Sequence, residues 1–239
     1  MNTIKIDKKQ VKMVAHRGVS GLERENTNLA FVAAGNRSYF GVETDVHVTS
    51  DGNFIVIHDN TTKRVAGEDY PVEETDFATL RSLRLFDLDG RKEREDLRLP
   101  TLEEYIRICK KYKKVCVLEL KRHIEEEAIG MIVERIREEE YLDQVIFISF
   151  HFENLVALRK FAPNQPAQFL FSEFTDEIIA DVKKHGFDVD VAYPALTEAQ
   201  IRQLHEAGIW VTCWTVNDPE EAEKLVSWGV DFITTNILE

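Results

Sequence analysis

The feature of this 239-residue sequence that most constrains its fold is a regular alternation of strand-like and helix-like segments. Short apolar runs are separated by longer segments in which apolar residues recur every three or four positions. The eight strand-like runs are 12–16, 40–48, 115–120, 145–150, 167–171, 188–193, 209–216 and 231–235. This alternation predicts a parallel α/β sheet with crossover helices. Eight units in about 240 residues favour a (β/α)₈ TIM barrel over an open doubly wound sheet.

One long stretch, from Asp51 to Pro100, interrupts this alternation. It begins with the turn signal "SDG" and the strand-like run "NFIVIHD", which together predict a hairpin with the preceding strand. The remainder predicts loops with one short helix around 78–83. We interpret residues 51–100 as a small insertion after the second barrel strand, within a single domain that spans residues 1–239.

The charge of the chain limits its partners. The sequence carries 43 acidic and 30 basic residues, a formal net charge of −13, which disfavours nucleic acid and anionic membrane surfaces. No run approaches the roughly 18 apolar residues of a membrane helix, and the N-terminus does not resemble a secretory signal. The three cysteines fit no metal or redox motif. We expect a cytoplasmic protein with a small-molecule substrate, no nucleic-acid partner and no stable membrane insertion; its oligomeric state is not indicated.

Three acidic residues stand out among the predicted strands: Glu43, Asp45 and Glu119. Barrel active sites lie at the C-terminal ends of the strands, and alternate residues of one strand share a face. Both faces of a barrel strand are buried, and buried carboxylates are costly unless they are paired or bind a metal. Because carboxylate oxygens suit hard cations, the three residues predict a site for Mg²⁺ or Ca²⁺, with Mn²⁺ as a further possibility.

Two histidines and two cations fall at the same ends of the predicted strands: His16 and Arg17 follow the first strand, His58 ends the hairpin, and Lys121 follows Glu119. An imidazole changes charge near neutral pH, so a histidine pair suits acid–base catalysis. Arg17 adds a permanent bidentate anion donor and Lys121 a second cation. Together with a metal site, these residues indicate phosphoryl chemistry.

Several motifs in this order resemble the glycerophosphodiester phosphodiesterase family, over nearly the whole chain from Val14 to Asn236. The matching motifs are "AHRG", "ENT", "GVETDVHVTSDGNFIVIHD", "LELK", "LPTLEEY", "ISF", "CWTVNDPEE" and "GVDFITTN". The resemblance implies a (β/α)₈ barrel with a small insertion after the second strand. It also implies hydrolysis of glycerophosphodiesters, such as glycerophosphocholine or glycerophosphoethanolamine, to an alcohol and sn-glycerol 3-phosphate, usually with Mg²⁺ or Ca²⁺.

The resemblance assigns roles to individual residues. His16 and His58 match the catalytic histidines of the family, and the divalent-metal ligands match Glu43, Asp45 and Glu119. Arg17 and Lys121 match the residues that hold the phosphate, and Trp214 matches an aromatic residue near the alcohol end of the substrate. We expect Glu25, Asn26 and Asp59 to contact these residues without touching the substrate and to hold them in position. The resemblance does not say which histidine is the acid and which is the base. It also leaves open whether a glycerol hydroxyl or a water molecule attacks the phosphorus.

The sequence differs from the family pattern at three positions that lie at or just beyond the ends of its motifs. Arg24 stands where the family usually has proline before "ENT", Asn236 replaces a frequent aspartate, and the proline usual beyond Asn236 is missing. We expect these departures to affect substrate preference more than activity.

Two other functions compete with this interpretation. One is a related barrel phospholipase of the sphingomyelinase D or phosphoinositide phospholipase type, with Phe77, Leu85 and Phe86 as candidate lipid contacts. The other is a non-catalytic barrel that binds phosphodiesters. A binding module gains little from two proton carriers, so the paired histidines favour an enzyme.

Overall fold

A closed barrel of parallel strands surrounded by helices forms the protein, for which a computed structural model describes residues 2–239. The strands are β1 (Lys12–Ala15), β2 (Gly41–Val48), β3 (Phe54–Val56), β4 (Val115–Leu120), β5 (Val145–Ser149), β6 (Ala167–Phe171), β7 (Asp188–Ala192), β8 (Val211–Trp214) and β9 (Phe232–Thr235). All except β3 are parallel; β1 pairs with both β2 and β9 and so closes the barrel. The predicted (β/α)₈ barrel is therefore confirmed.

Helices connect and surround the strands. They are α1 (Asn28–Gly35), α2 (Lys63–Ala66), α3 (Phe77–Ser82), α4 (Leu102–Tyr112), α5 (Glu126–Glu138), α6 (Phe152–Phe161), α7 (Asp176–His185), α8 (Glu198–Glu206) and α9 (Pro219–Trp228). Local sequence fixes many of their ends. Thr101 and Thr197 each form a capping box, which satisfies free backbone donors in the first turn. Gly186 and Gly229 end α7 and α9 in the left-handed conformation that glycine adopts at little cost.

The stretch between β2 and α4 packs on one side of the barrel. β3 is antiparallel to β2, with Val46 opposite Val56, so the predicted hairpin is present. Beyond β3, the helices α2 and α3 and the intervening loops enclose their own apolar cluster. Its buried members are Ile55, Ile57, Val65, Ala66, Val72, Leu80, Leu83, Leu85, Leu97 and Leu99. This cluster gives the segment a core of its own, in addition to its attachment through the hairpin.

Much of the inside of the barrel between its two ends is apolar. Five side chains from different strands pack together there: Val14, Val117, Ile148, Leu170 and Phe232. Below them, at the N-terminal ends of the strands, a cavity of about 310 Å³ is lined mainly by apolar residues. None of the residues assigned a role from the sequence lines that cavity. The five-residue apolar layer therefore separates it from the C-terminal end of the barrel, where the polar residues gather.

Candidate active site

The turn that follows β1 places His16 and Arg17 at the C-terminal mouth of the barrel. The backbone N–H of His16 donates to Thr235 O at 2.8 Å, which continues the pairing of β1 with β9. Arg17 adopts a left-handed conformation with φ of 54°, and its N–H donates to Glu43 Oε2 at 2.8 Å. Gly18 lies so close to α1 that a Cβ would be 2.5 Å from the Ala30 carbonyl carbon. Glycine at this position lets the turn pass directly beneath α1.

The carboxylates of Glu43, Asp45 and Glu119 converge at this mouth. Glu43 and Asp45 lie on β2 and Glu119 on β4, where Asp45 and Glu119 are register partners. One oxygen from each carboxylate lies within 4.8 Å of the others, and the residues are only 3%, 1% and 7% exposed, respectively. Burial and the neighbouring Asp45 raise the pKa of Glu43 well above its usual range and that of Glu119 to about 8. Such a cluster is favourable only when positive charge offsets its mutual repulsion.

Part of that positive charge comes from the protein itself. Lys121 Nζ lies 2.8 Å from Glu119 Oε1 and 3.4 Å from Asp45 Oδ1, and Arg17 Nε lies 3.6 Å from Asp45 Oδ2. Burial opposes ionisation of Asp45, yet Lys121 and Arg17 hold its pKa below the usual range. Asp45 Oδ1 is nevertheless buried without a hydrogen-bond donor among residues 2–239. Three buried carboxylates, one with an oxygen that lacks a donor, fit a hard divalent cation.

Asn26 contacts the cluster from the side away from the barrel mouth. Its side-chain N–H donates to Asp45 Oδ2 at 2.7 Å, and its carbonyl oxygen accepts from Thr44 Oγ1 at 2.7 Å. Asn26 is buried and left-handed, with φ of 51°. Asparagine tolerates this conformation better than most residues, so its presence suits both the turn and the contact with Asp45.

The two histidines are held through their Nδ1 atoms by different partners. His16 Nδ1 lies 2.7 Å from the amide oxygen of Asn236, and His58 Nδ1 lies 2.8 Å from Asp59 Oδ1. Since both oxygens accept, Nδ1 of each ring carries the proton and Nε2 is left for chemistry. Burial and the nearby Arg17 lower the pKa of His16 to about 4. Burial also lowers the pKa of His58, although the Asp45 and Asp59 carboxylates oppose that shift.

A chain of ion pairs joins the two histidine loops across the mouth. Glu25 accepts from Arg17 Nη1 at 2.8 Å and from both terminal nitrogens of Arg64 at 2.7 and 2.8 Å. Arg64 also donates to Asp59, through Nε at 2.6 Å and Nη2 at 3.0 Å. Asp59 in turn accepts from His58. Arg64 therefore links Asp59, which holds His58, to Glu25, which holds Arg17. The sequence did not single out Arg64.

Replacement of Glu25 by glutamine is expected to destabilise the protein by about 2 kcal/mol at pH 7. Burial alone would raise its pKa, but the Arg64 hydrogen bonds and the charge of Arg17 lower the pKa of Glu25 to about 2. A depressed folded-state pKa stabilises the fold above the unfolded value of 4.5 and loses that effect as the pH falls toward 2. Urea unfolding of both proteins between pH 7 and pH 3 should show the difference shrinking to less than half.

The control for this prediction is Glu126→Gln, which breaks an exposed ion pair with Lys160. Exposed pairs contribute little, so we expect a change below about 0.5 kcal/mol at any pH. An equal loss of stability for the Glu25 variant at pH 7 and pH 3 would contradict the proposed ionisation of Glu25.

Two connected spaces open at the mouth. A narrow cavity of about 50 Å³ descends between the histidines and Trp214 into the barrel. A wider groove of about 410 Å³ lies outside it; the two share His58, Glu119 and Phe150. The Phe150 ring meets Trp214 edge-on at 5.5 Å and is 42% exposed, and the Trp214 indole N–H donates to Asp190 O at 3.2 Å. An aromatic pair therefore stands at the border of the cavity and the groove.

Comparison with known proteins agrees with this geometry. The model of the glycerophosphoryl diester phosphodiesterase family matches residues 16–239. The chain belongs to this family. A glycerophosphodiester phosphodiesterase from Bacillus subtilis is 26% identical over 246 residues, covering 95% of this chain and 84% of the relative. One from Bacillus altitudinis is 28% identical, covering 94% of each chain.

Solved structures of family members superpose on the barrel. An Oleispira antarctica phosphodiesterase, solved in complex with the product sn-glycerol-3-phosphate, has a TM-score of 0.89 and 26% identity, covering 97% of this chain and 95% of that one. A glycerophosphodiester phosphodiesterase from Thermotoga maritima has a TM-score of 0.76 and 28% identity, covering 95% and 94%.

Arg24, which replaces the usual proline of the family motif, ties the insertion to the mouth of the barrel. Its guanidinium donates from Nε to the backbone oxygen of Phe86 and from Nη2 to that of Asp87 at 2.8 Å. Beside it, Arg94 Nη1 lies 3.2 Å from Glu23 and 3.4 Å from Asp87. Proline could make neither of the Arg24 bonds, so this departure provides an attachment for the loop.

Replacement of Arg24 by alanine is expected to lower the free energy of unfolding by about 1–3 kcal/mol, because two charge-assisted hydrogen bonds are lost. We expect protease cleavage to become faster within residues 84–98, the loop that Arg24 holds. Thermal unfolding and limited proteolysis measure the two effects. Arg84→Ala, which removes only an exposed pair with Glu95 in the same loop, should change neither by a measurable amount. Unchanged cleavage in the Arg24 variant would contradict this role.

Asn236 is the second departure, and it contacts the site directly. It accepts from Ser20 Oγ at 2.9 Å as well as from His16 Nδ1, so it orients a histidine of the site directly. Asn236 lies 220 residues from His16 in the sequence, which offers no local signal of this contact. Closure of the barrel between β9 and β1 is what brings the two together.

Two of the three apolar residues of the insertion that were candidate lipid contacts pack into its core, and the third is half-buried. Leu85 is buried in the apolar cluster of the insertion and Phe77 packs against it. Phe86 carries Lys92 Nζ over its ring at 4.9 Å. Among residues 2–239, no helix combines the length and apolar character that crossing a bilayer requires.

Proposed function

We propose that this protein hydrolyses glycerophosphodiesters to an alcohol and sn-glycerol 3-phosphate by acid–base catalysis with His16 and His58. The observation that carries the proposal is the arrangement at the barrel mouth. Two histidines, each held through Nδ1, flank three buried carboxylates and two cations. Membership of the family and the product complex of the Oleispira antarctica relative support the same substrate class.

Glu43, Asp45 and Glu119 would hold a divalent cation, Mg²⁺ or Ca²⁺ by the chemistry of their oxygens. When bound there, the cation would offset the charge of the carboxylates and of the phosphodiester and polarise a phosphoryl oxygen. Arg17 and Lys121 lie beside the same carboxylates and present fixed positive charge toward the phosphate. This local charge makes anion binding feasible in a chain whose net charge is −13.

The partners of the histidines suggest how the proton transfers divide. Asp59 is a carboxylate that stabilises an imidazolium at His58, whereas Asn236 offers His16 only a neutral oxygen beside the cationic Arg17. We therefore assign His16 Nε2 as the base that removes the proton from the attacking hydroxyl or water. His58 Nε2 then gives a proton to the departing alcohol oxygen as the P–O bond breaks.

The two spaces at the mouth suggest how the substrate lies. The 50 Å³ cavity is too small for a choline-sized group, whereas the 410 Å³ groove has room for the leaving alcohol. The groove is bordered by His58, which agrees with its assignment as the acid. Phe150 lines both spaces and Trp214 lines the inner one, so this aromatic pair would offer a favourable contact for a cationic head group.

A matrix of metals and substrates tests the proposal. The EDTA-treated protein is supplied with Mg²⁺, Ca²⁺ or Mn²⁺ and with glycerophosphocholine, glycerophosphoethanolamine, sphingomyelin or lysophosphatidylcholine. Release of sn-glycerol 3-phosphate from the first two substrates, restored by metal, is the expected result. Turnover of only the lipid substrates would instead favour a barrel phospholipase. Binding without turnover of any substrate would favour a non-catalytic barrel.

A further inference from the structure

Three buried side-chain oxygens on neighbouring strands below the site make no hydrogen bond within the part of the chain that the structure describes. They are Asp190 Oδ1 on β7, Thr212 Oγ1 on β8 and Thr234 Oγ1 on β9. Asp190 and Thr212 are register partners, and β8 pairs with β9. Asp190 is 1% exposed and the two threonines 2% each. The oxygens therefore form a polar patch inside a barrel that is otherwise apolar at this depth.

Such a patch is unfavourable unless something pairs with it. A buried polar group without a partner costs about 1–3 kcal/mol, and native proteins contain few such groups. An apolar residue at any of these positions would remove that cost and would continue the apolar layer of Val14, Ile148 and Leu170. Burial, together with the charge of Glu119, raises the pKa of Asp190 well above its usual range, so the group can remain neutral.

Two of the three residues of the patch face the narrow cavity of the active site. Asp190 and Thr234 line that 50 Å³ cavity together with His16, His58 and Trp214. Ile148 and Leu170 supply apolar walls between them. A space of this size accommodates a group of a few atoms, such as a hydroxymethyl group, next to a phosphate held by the residues at the mouth. The polar oxygens of Asp190 and Thr234 and the carbon atoms of Ile148 and Leu170 match the two chemical characters of such a group.

We propose that Asp190 and Thr234 bind a hydroxyl group of the glycerol portion of the substrate, and so select glycerol esters over simple alkyl phosphodiesters. This inference rests on the proposed function and assigns its glycerol specificity to named residues. The hydroxyl donates to Asp190 Oδ1 or accepts from the Asp190 or Thr234 O–H, while the glycerol carbons contact Ile148 and Leu170. Sites built to pair a hydroxyl reject analogues that lack it, because their own polar groups are then left unpaired.

Binding of two phosphates that differ only in hydroxyl groups tests this inference without need of turnover. Calorimetry in the presence of Mg²⁺ compares sn-glycerol 3-phosphate with n-propyl phosphate. We expect the wild-type protein to prefer sn-glycerol 3-phosphate by about 10–100-fold. Asp190→Leu should bring this preference close to unity while the affinity for n-propyl phosphate changes less than about twofold.

Two further variants keep the result interpretable. Thr234→Val removes one hydroxyl at nearly constant volume and should reduce the preference even if Asp190→Leu does not fold. Asp188→Asn alters a carboxylate of the same strand that lines the opposite cavity and accepts from Trp210 N, so it should keep the full preference. Full preference in Asp190→Leu or Thr234→Val, or equal wild-type affinity for the two phosphates, would overturn the inference. Discrimination without any glycerophosphodiester turnover would instead contradict the proposed function.

Discussion

Replacement of His58 by alanine is expected to lower kcat for glycerophosphocholine by about 10²–10⁴-fold, the usual contribution of a positioned proton donor. The loss should depend on the leaving group. The p-nitrophenyl ester of glycerol 3-phosphate releases a stable phenolate that needs no proton, so the same variant should retain most of its activity on that ester. Replacement of His16, the assigned base, should cost a similar factor with both substrates. Steady-state kinetics with the two esters measures each effect.

The control for this pair is His205→Ala, which removes an exposed histidine that pairs with Asp231 on the outside of the barrel. Its kcat should stay within about twofold of wild type. If the His16 variant regained activity on the p-nitrophenyl ester and the His58 variant did not, the assignments of acid and base would be reversed. Near-normal turnover of either folded variant on glycerophosphocholine would contradict paired catalysis altogether.

Addition of Mg²⁺ or Ca²⁺ at about 100 times its dissociation constant is expected to raise the Tm of the metal-free protein by about 5–10 °C. Binding to the folded state alone gives about 2.7 kcal/mol at this excess, and each kcal/mol shifts Tm by about 2–4 °C in a chain of this size. The physical reason is relief of repulsion among Glu43, Asp45 and Glu119. Asp45→Asn should lose this shift and at least about 100-fold of activity, because its side chain also contacts Arg17 and Lys121.

The matched control replaces Asp188, a carboxylate at the opposite end of the barrel, with asparagine. This variant should keep the metal-dependent rise in Tm, measured by differential scanning calorimetry with and without EDTA. A metal-dependent rise of the same size in Asp45→Asn would place the cation elsewhere.

The barrel itself could be predicted because each strand and helix is encoded locally. Buried parallel strands have apolar runs such as 115–120, and helices have caps such as the pair Thr101 and Glu104. Differences arise at strand ends: the run 209–216 forms a strand only over Val211–Trp214, and the Trp214–Thr215 peptide is cis. The run of apolar residues in the sequence indicates burial and not strand pairing. Ile209 and Val216 lie outside the strand but remain buried, so the run is longer than the strand.

The site residues on adjoining strands could be anticipated because the fold class brings strand ends together. Residues that act across loops could not. Arg64 reaches Glu25 from a helix of the insertion, and Asn236 reaches His16 across the closure of the barrel. Neither contact leaves a periodic or spaced signal in the chain. Asp190 was missed for a different reason, since it lies in the middle of β7 and not at the C-terminal end of the strand, where site residues were expected.

The apolar layer across the inside of the barrel closes the site at its inner end. Five apolar side chains, Val14, Val117, Ile148, Leu170 and Phe232, pack beneath the narrow cavity. In the proposed reaction, substrate and products therefore pass through the C-terminal mouth. The alcohol occupies the outer groove in that reaction, and glycerol 3-phosphate is held at the mouth with the end of its glycerol portion in the inner cavity. The alcohol must then depart first, and glycerol 3-phosphate, released last, should compete with incoming substrate. The floor of the barrel thereby sets the order of product release.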